Sequence, residues 1–517
     1  MARRLKHWGW GYEDEQPSHE DLRASADFIR ARLGFGGEPR AHVPLSEVVL
    51  PEPRLSAPRE LEEIAFTDSY ERALHSYGRS YRDIFRAFRG QFDHPPDVVL
   101  RPRSEAEVDA GMQWAIGEGA IVIPFGGGTS VVGGVEARAY ERPVVTIDLK
   151  ALDRVLEFDP VSHCARIQAG ATGPRLEEQL AEHGFTLRHF PQSFEFSTLG
   201  GWIATRAGGH FATVYTHIDD LVESVRALTP AGVWQSRRLP GSGAGVSPDR
   251  MLLGSEGALG IITEAWVRVR PRPTHRASSA VRFRTFGEGT AAVRALSQSG
   301  LYPANCRLID AEEAGFTGAG DGSHSVLVLG FESATQSVDT WMKHALDLCS
   351  DHGGAWERRG SRDSAGNWRE AFLRAPYLRD TFVAMSVLSE TFETAITWDR
   401  FEAFNDHVLG AARAAVAEVC GAGSVTCRFT HVYPDGPAPY YTILAPLREL
   451  EQWDAIKRAA SDAVMEAGGT ITHHHAVGRE HRPWYDRQRP DPFAAALRAA
   501  KGALDPTGAL NPGVLID

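Results

Sequence analysis

A short apolar run that ends in three consecutive glycines is the feature that most constrains how this chain can fold. The run, Ala120–Pro124, is typical of a buried strand, and Gly126–Gly128 are followed by Thr129 and Ser130. Consecutive glycines let the backbone turn sharply and approach a ligand, and the hydroxyl groups add hydrogen-bond donors. Backbone N–H groups in such a loop can hold a diphosphate. The loop therefore indicates either a diphosphate site or a plain tight turn.

Two common nucleotide-binding loops are excluded by the residues that follow the glycines. A Walker loop requires Gly-Lys-Ser/Thr, and no lysine follows here. A Rossmann fingerprint requires G-x-G-x-x-G, but the sixth position counted from Gly126 is Val131. The sequence thus predicts a glycine loop of another class.

Length and charge limit the class of protein. A chain of 517 residues is too long for one ordinary core, so two or three domains are expected. The formal net charge of −12 argues against a nucleic-acid partner, whose binding face would be basic. Glycines concentrate in residues 125–134, 200–209 and 241–260, which favours ligand-binding loops over a flexible linker.

The cysteines and the N-terminus predict a cytoplasmic protein. The five cysteines are scattered and none forms a C-x-x-C pair, so buried thiols are expected rather than disulfides or a zinc knuckle. The N-terminal residues lack the apolar core of a signal peptide. Nothing approaches the roughly 20 consecutive apolar residues of a membrane span.

The residue pattern changes three times along the chain and predicts an α+β fold in four parts. Residues 1–92 are helical and extended, and residues 93–273 begin as strand–helix–strand before continuing as a β meander. Residues 274–455 alternate strands with amphipathic helices, which predicts an antiparallel sheet covered by helices. Residues 456–517 are mainly helical and include three consecutive histidines.

Five motifs carry a resemblance to a known family. PFGGGTS (124–130), PQSFEFSTLGGWIATRAGG (191–209) and GSEGALGIITEA (254–265) occur in order and resemble the PCMH-type FAD-binding domain of the vanillyl-alcohol-oxidase superfamily. ETFETAITWDR (390–400) and THHHAVG (472–478) are more specific and resemble the alkyldihydroxyacetonephosphate synthase family within it. The likeness covers nearly the whole chain and implies a PCMH-type domain followed by an α+β cap domain, with helical terminal segments.

The resemblance implies non-covalently bound FAD. The glycine loop would hold the diphosphate, the second motif would line the flavin, and the third would complete the adenine and ribose end. From its own pattern, the second motif is too poor in hydrophobic periodicity for a regular element and predicts a functional loop. The residues implied to hold FAD are Pro124, Phe125, Gly126, Gly127, Gly128, Thr129, Ser130, Gln192, Ser193, Phe194, Glu195, Phe196, Ser197, Thr198, Thr205, Arg206, Ala207, Gly208, Glu256, Gly257, Ala258, Leu259, Gly260, Ile261 and Ile262. Gln192 stands where the family has an aspartate.

The family reaction replaces the acyl chain of acyl-dihydroxyacetone phosphate with a long-chain alcohol, through an adduct of flavin N5, without net redox change. Such a reaction needs proton-transfer groups and a phosphate anchor. The residues that the resemblance places in catalytic roles are Tyr441, His473, His474, His475 and Arg307, and those in substrate-binding roles are Arg379, His189 and Thr391.

Several alternatives remain open from the sequence. Tyr440 could serve instead of Tyr441, and a tyrosine in an apolar strand is most often a core residue. Three consecutive histidines on a strand cannot all face one ligand because strand side chains alternate, so at most two would point one way. A metal site stays an open alternative, and none is predicted. A flavin oxidase or dehydrogenase of a small 2-hydroxy acid, such as lactate or glycolate, is the alternative function.

The predicted partners are small lipid substrates and a second copy of the chain, with no nucleic acid. A lipid substrate implies peripheral contact with a membrane, at the inner membrane face in a bacterial-type cell. An apolar patch within residues 276–450 is the expected docking route.

Overall fold

The computed structural model describes residues 3–356 and 377–517, so residues 357–376 of the predicted domain 274–455 lie outside the described part. The observed class is α+β, as predicted, and four sheets are present within the described part. The helices are His19–Leu33, Ser69–Leu74, Tyr81–Phe88, Glu105–Gly117, Gly173–Ala181, Leu199–Thr205, Pro248–Leu252, Phe286–Gln298, Ala311–Thr317, Asp339–Asp351, Phe401–Cys420, Leu450–Glu466, Arg482–Gln488 and Asp491–Leu504, together with helical residues 377–384.

The first sheet is mixed and contains the strand that precedes the glycine loop. Its strand order is Ala65–Phe66, Val98–Leu100, Val144–Asp148 and Ile121–Phe125; the last three are parallel. The connection between two of these strands is the helix Glu105–Gly117. Its N-cap is Ser104, whose hydroxyl accepts a hydrogen bond from the Glu107 N–H. Parallel strands covered on both faces are apolar throughout, and Ile121–Phe125 is almost entirely buried.

The second sheet is antiparallel and completes the first half of the chain. Its strand order is Val155–Asp159, Cys164–Gln168, Ile261–Arg268, Val222–Thr229 and Gly232–Gln235. The strands Phe185–Thr186 and Arg270–Pro271 pair with each other in a separate two-stranded antiparallel sheet.

The second motif contains a helix that the sequence did not predict. Residues 191–209 were expected to form a loop, but Leu199–Thr205 is helical. Thr198 caps this helix by accepting a hydrogen bond from the Gly201 N–H, and Trp202 and Ile203 are buried on one side of it. The two glycines weaken the local helix propensity, and burial of these apolar side chains compensates for that weakness.

The third large sheet is antiparallel and has seven strands. Its order is Ala355–Trp356, His275–Phe283, Ser325–Ser333, Asn305–Ile309, Ser424–Val432, Pro437–Pro446 and Val387–Glu393. One face packs on four long helices, Phe286–Gln298, Asp339–Asp351, Phe401–Cys420 and Leu450–Glu466, through the largest hydrophobic cluster of the described residues. The opposite face is therefore available to form a cavity wall.

The end of the chain returns to the first sheet. The loop that carries the histidine run leads to helices Arg482–Gln488 and Asp491–Leu504, and Leu510 then forms a parallel bridge with Val122 next to the glycine loop. Within the described part, no helix combines the length and the apolar character needed to cross a bilayer. The boundaries between the four predicted domains stay a prediction.

Candidate active site

A cavity of about 840 Å³ lies between the glycine loop and the free face of the seven-stranded sheet. The glycine loop, the helix Leu199–Thr205 and Gly208 form one wall. The opposite wall consists of side chains from the strands Asn305–Ile309, Ser424–Val432, Pro437–Pro446 and Val387–Glu393. The residues predicted for cofactor and for substrate therefore meet across one space.

Phe196 and Thr198 pack so closely against one side of the glycine loop that the loop admits no side chain there. A Cβ added to Gly127 would lie 2.0 Å from the Phe196 carbonyl oxygen, and one added to Gly126 would lie 2.3 Å from Thr198 Oγ1. Gly128 has a φ of +65°, in the left-handed region that favours glycine. The other side of the loop faces the cavity with bare backbone, which suits the close approach of a diphosphate.

About half of the residues predicted to hold FAD line this cavity. They are Gly126, Gly127, Gly128, Thr129, Ser130, Gln192, Ser193, Ser197, Thr198, Thr205, Ala207 and Gly208. The others do not line it: they are Pro124, Phe125, Phe194, Glu195, Phe196, Arg206 and Glu256–Ile262. The residues of the first two motifs present glycine backbone, hydroxyl and amide groups to the cavity, and this donor set fits an FAD diphosphate and flavin.

The third motif instead braces the histidine loop. The Glu256 carboxylate accepts hydrogen bonds from the backbone N–H groups of Val477 (2.9 Å) and Gly478 (2.8 Å). Burial raises the pKa of this carboxyl to about 7. Glu256 therefore connects the cofactor half of the chain to the segment that carries the histidines.

Tyr440, and not Tyr441, faces the cavity. Tyr441 is fully buried on the helix side of the sheet, where its ring stacks on Phe392 and its hydroxyl donates to Asn405 Oδ1 at 2.9 Å. Successive side chains of a strand point to opposite faces, so the two tyrosines cannot share a role. The expected place of Tyr441 in the site is therefore wrong, and Tyr440, the alternative left open by the sequence, lines the cavity instead.

Two arginines line the cavity on the same sheet as Tyr440. The Arg428 guanidinium lies 4.0 Å from the centre of the Tyr440 ring and forms an ion pair with Glu313. Arg307 is buried on the neighbouring strand, and burial, followed by repulsion from Arg428, lowers its pKa to about 9. Thr391 lines the cavity, as does Arg379, which donates to the Arg79 carbonyl oxygen at 3.0 Å.

The histidine run is a loop wrapped around one buried carboxylate, and not the strand that the sequence suggested. The Glu393 side chain accepts hydrogen bonds from the backbone N–H of His473 (2.6 Å), His474 (3.2 Å) and His475 (2.9 Å). It also accepts one from the Thr472 hydroxyl at 2.6 Å. Despite full burial, these donors and the nearby imidazoles lower the pKa of Glu393 to about 2. The strand rule of alternating side chains therefore does not apply to this run.

Burial disfavours the charged form of these histidines. It lowers the pKa of His473 and His474 well below the ordinary value, and that of His475 to a smaller extent because Glu393 opposes the shift. His474 and His475 line the cavity beside Tyr440, with ring-centre distances to Tyr440 of 6.1 and 5.5 Å. His473 does not line the cavity and contacts Tyr433 instead. Neutral imidazoles can accept protons or bind a metal.

A fourth histidine joins this wall through a β-bulge. Phe429 pairs with Pro439 and His431 pairs with Ala438, so Thr430 is an extra residue in its strand. Both Thr430 and His431 consequently line the cavity. A sequence pattern of strict alternation would have placed only one of them there.

His189 is displaced from its predicted place. It is buried against Trp202, with ring centres 5.1 Å apart, and does not line the cavity. Burial lowers the pKa of its imidazole to about 3.

Three site residues were missed from the sequence, namely Glu393, Arg428 and His431. Arg428 and Tyr440 are cross-strand partners, so a strand pairing of these segments would have indicated Arg428. Glu393 lies within a motif already noted, but its partner loop begins about 80 residues later. The local sequence gives no signal for the β-bulge that turns the His431 side chain toward the cavity.

Comparisons with known proteins agree with this site. Residues 96–236 match the family described as FAD binding domain, and residues 272–515 match FAD linked oxidases, C-terminal domain. An alkyldihydroxyacetonephosphate synthase of Trypanosoma brucei brucei is 30% identical over 95% of this chain and 86% of its own length. That of Dictyostelium discoideum is 31% identical over 87% of this chain and 78% of its own.

The fold agrees as well. A solved structure of an alkyldihydroxyacetonephosphate synthase is 27% identical and superposes with a TM-score of 0.82, covering 98% of each chain. FAD is accordingly the cofactor of this protein. The chain is an FAD-dependent enzyme and belongs to the alkyldihydroxyacetonephosphate synthase family.

Proposed function

We propose that this enzyme exchanges the acyl chain of acyl-dihydroxyacetone phosphate for a long-chain fatty alcohol. The bond between C1 and the ester oxygen breaks, and the fatty acid leaves with that oxygen. The alcohol oxygen forms the new ether bond to C1 and releases its proton. No electrons are exchanged overall, so the protein must bind an anion, move protons and accommodate two hydrocarbon chains.

The observation that carries this proposal is the pair of guanidinium groups in the cavity wall. Arg307 and Arg428 are close enough that the charge on Arg428 lowers the pKa of Arg307. Both line the cavity, and Arg428 forms an ion pair with Glu313. A phosphate dianion placed between two such forks gains charge-assisted hydrogen bonds and relieves their mutual repulsion. A small 2-hydroxy acid offers only one negative charge.

Tyr440 and His475 are the groups that we assign to proton transfer. Both line the cavity, and they lie on the wall opposite the cofactor residues. Burial lowers the pKa of His475 and so favours the neutral imidazole, which can accept the proton of C1 or of the alcohol. FAD, when bound, supplies the flavin N5 toward which C1 is presented. Glu393 fixes the loop and keeps the imidazole in place.

We assign the apolar end of the cavity to the hydrocarbon chain. Leu33 on the N-terminal helix, Phe316 and Phe382 line this end, next to Leu444. Phe28 lies on the same N-terminal helix and is 61% exposed. A membrane-docking surface would therefore include this helix as well as the predicted residues 276–450, and association with a second copy of the chain stays a prediction.

The decisive experiment incubates the purified yellow protein with acyl-dihydroxyacetone phosphate and labelled hexadecanol. We expect an ether-linked product, with release of one fatty acid per ether bond and no consumption of oxygen. Bleaching of the flavin by lactate or glycolate, without ether product, would establish the oxidase alternative instead. Activity with acyl-dihydroxyacetone lacking phosphate would contradict the role of the arginines.

A further inference from the structure

Three histidines converge on one point at the edge of the cavity. His431, His473 and His474 each offer a ring nitrogen, and these three atoms all lie within 4.8 Å of one another. Two of the residues come from the histidine loop, and the third is the one turned by the bulge. The convergence therefore depends on the contact between the loop and the sheet.

His431 presents an unused nitrogen to this cluster. Its Nε2 donates a hydrogen bond to the Gly209 carbonyl oxygen at 2.9 Å. That bond leaves Nδ1 as the lone-pair nitrogen, which is buried and has no hydrogen-bond partner among residues 3–356 and 377–517. A histidine that donates one N–H to a carbonyl and keeps the other nitrogen free has the arrangement of a metal ligand.

His473 and His474 face each other through two nitrogens. Their Nδ1 atoms are 3.0 Å apart. Two nitrogens bound to one zinc ion at about 2.0–2.1 Å with a tetrahedral angle would be about 3.4 Å apart, so a small movement suffices. The Nε2 atom of His473 is 2.7 Å from the Tyr433 hydroxyl, which supplies the outer hydrogen bond that orients such a ligand.

We propose that His431, His473 and His474 bind one divalent transition-metal ion of the zinc class. Three imidazoles suit zinc and its neighbours, whereas magnesium and calcium require oxygen ligands. Because His431 and His474 line the cavity, the remaining coordination position faces it and can accept a water or a substrate oxygen. His475 lies outside the set and stays free for proton transfer. This site does not depend on the transferase reaction.

The test measures metal binding directly, without turnover. The FAD-loaded protein is stripped with a chelator, dialysed against Zn²⁺ and analysed by elemental mass spectrometry. We expect about one Zn²⁺ per chain, at least a tenfold loss of affinity in His431→Gln, and retention in the matched variant His475→Gln. Flavin content and thermal unfolding of each variant show whether it is folded.

A second measurement uses only the unmodified chain, so it tests the metal site even if the variants fail to fold. Co²⁺ added to the stripped protein should produce the intense visible absorption of a tetrahedral site, which Zn²⁺ then displaces. A weak octahedral spectrum, or no saturable binding at micromolar metal, would overturn the proposal and leave a proton shared by His473 and His474. If the unmodified protein binds the metal but makes no ether product, that result would count against the proposed reaction and not against the metal site.

Discussion

Tyr440 and Tyr441 are adjacent in one strand, yet the first lines the cavity beside two histidines and the second is sealed under the helix Phe401–Cys420. The Tyr440 ring contacts Arg428, which pairs with Glu313. The Tyr441 ring belongs to the core of the cap sheet and stacks on Phe392. Two chemically identical side chains thus lie in a cavity wall and in the core because a strand has two faces.

Exchanging each tyrosine for phenylalanine separates these roles. We expect Tyr440→Phe to lower ether synthesis by about 100-fold or more, as for loss of a proton-transfer group, with unchanged flavin content. Tyr441→Phe should retain most activity and lower the free energy of unfolding by about 1 kcal/mol, since Asn405 loses its donor. Product assays and urea unfolding test both. Inactivation by Tyr441→Phe in a stable, flavin-loaded protein would contradict the assignment.

Glu393 should be essential for the geometry of the histidine loop. Because its carboxylate accepts three backbone N–H groups, Glu393→Gln should destabilise the protein by about 2–3 kcal/mol and lower kcat strongly. The pKa of this carboxyl is lowered to about 2, so its contribution to stability is complete above its ordinary value of 4.5 and is lost as the pH falls from there toward 2.

Unfolding curves measured between pH 2 and 7 test this expectation for Glu393. The exposed Glu402 in the helix Phe401–Cys420 provides the control, and Glu402→Gln should change neither stability nor its pH dependence. Equal acid sensitivity of the parent protein and Glu393→Gln would show that other carboxylates dominate.

Arg307 should make substrate binding sensitive to alkaline pH. Its pKa is lowered to about 9 by burial and by Arg428, so the guanidinium loses its charge as the pH rises through that value. We expect the KM for the phosphorylated substrate to rise above about pH 9, with a smaller change in kcat. Arg307→Gln should have a high KM at every pH. An unchanged KM for the phosphorylated substrate in Arg307→Gln would contradict the phosphate role.

The glycine loop should not tolerate one added methyl group. Gly127→Ala would place a Cβ 2.0 Å from the Phe196 carbonyl oxygen, which forces the loop to move and should reduce bound FAD at least tenfold. Gly117→Ala is the matched control because a Cβ there meets nothing within 4 Å. Gly117 ends the helix before the same strand, and alanine should be neutral or slightly stabilising there. The ratio of flavin to protein absorbance measures both.

The apolar end of the cavity should set the preferred chain length. Leu33→Asp places a charge where we assign the hydrocarbon chain, so the KM for hexadecanol should rise while that for a short alcohol stays nearly constant. Phe28→Asp lies on the same helix but outside the cavity lining and should leave this preference unchanged. A chain-length profile of each variant is the measurement. Equal effects on long and short alcohols would place the chain elsewhere.

The sequence by itself determined the fold class and many helix and strand positions, and its resemblance to a known family implied the cofactor. The helices and strands depend on local signals: Ser104 defines a helix start, and apolar runs define buried strands. Such signals act over a few residues, so their effect does not depend on what packs nearby. The helix Leu199–Thr205 in the cofactor wall was not predicted from the sequence, since its stability comes from burial of Trp202 and Ile203.

Tertiary structure decided which side chains meet. Strand register placed Tyr440 in the cavity and Tyr441 in the core, and one extra residue in a neighbouring strand turned His431 toward the histidine loop. Glu393 holds that loop through hydrogen bonds to His473 and its neighbours, although the residues are 80 positions apart. The sequence lists these groups separately, and the free energy that brings them together comes from packing two sheets and burying their contacts, which no local pattern encodes.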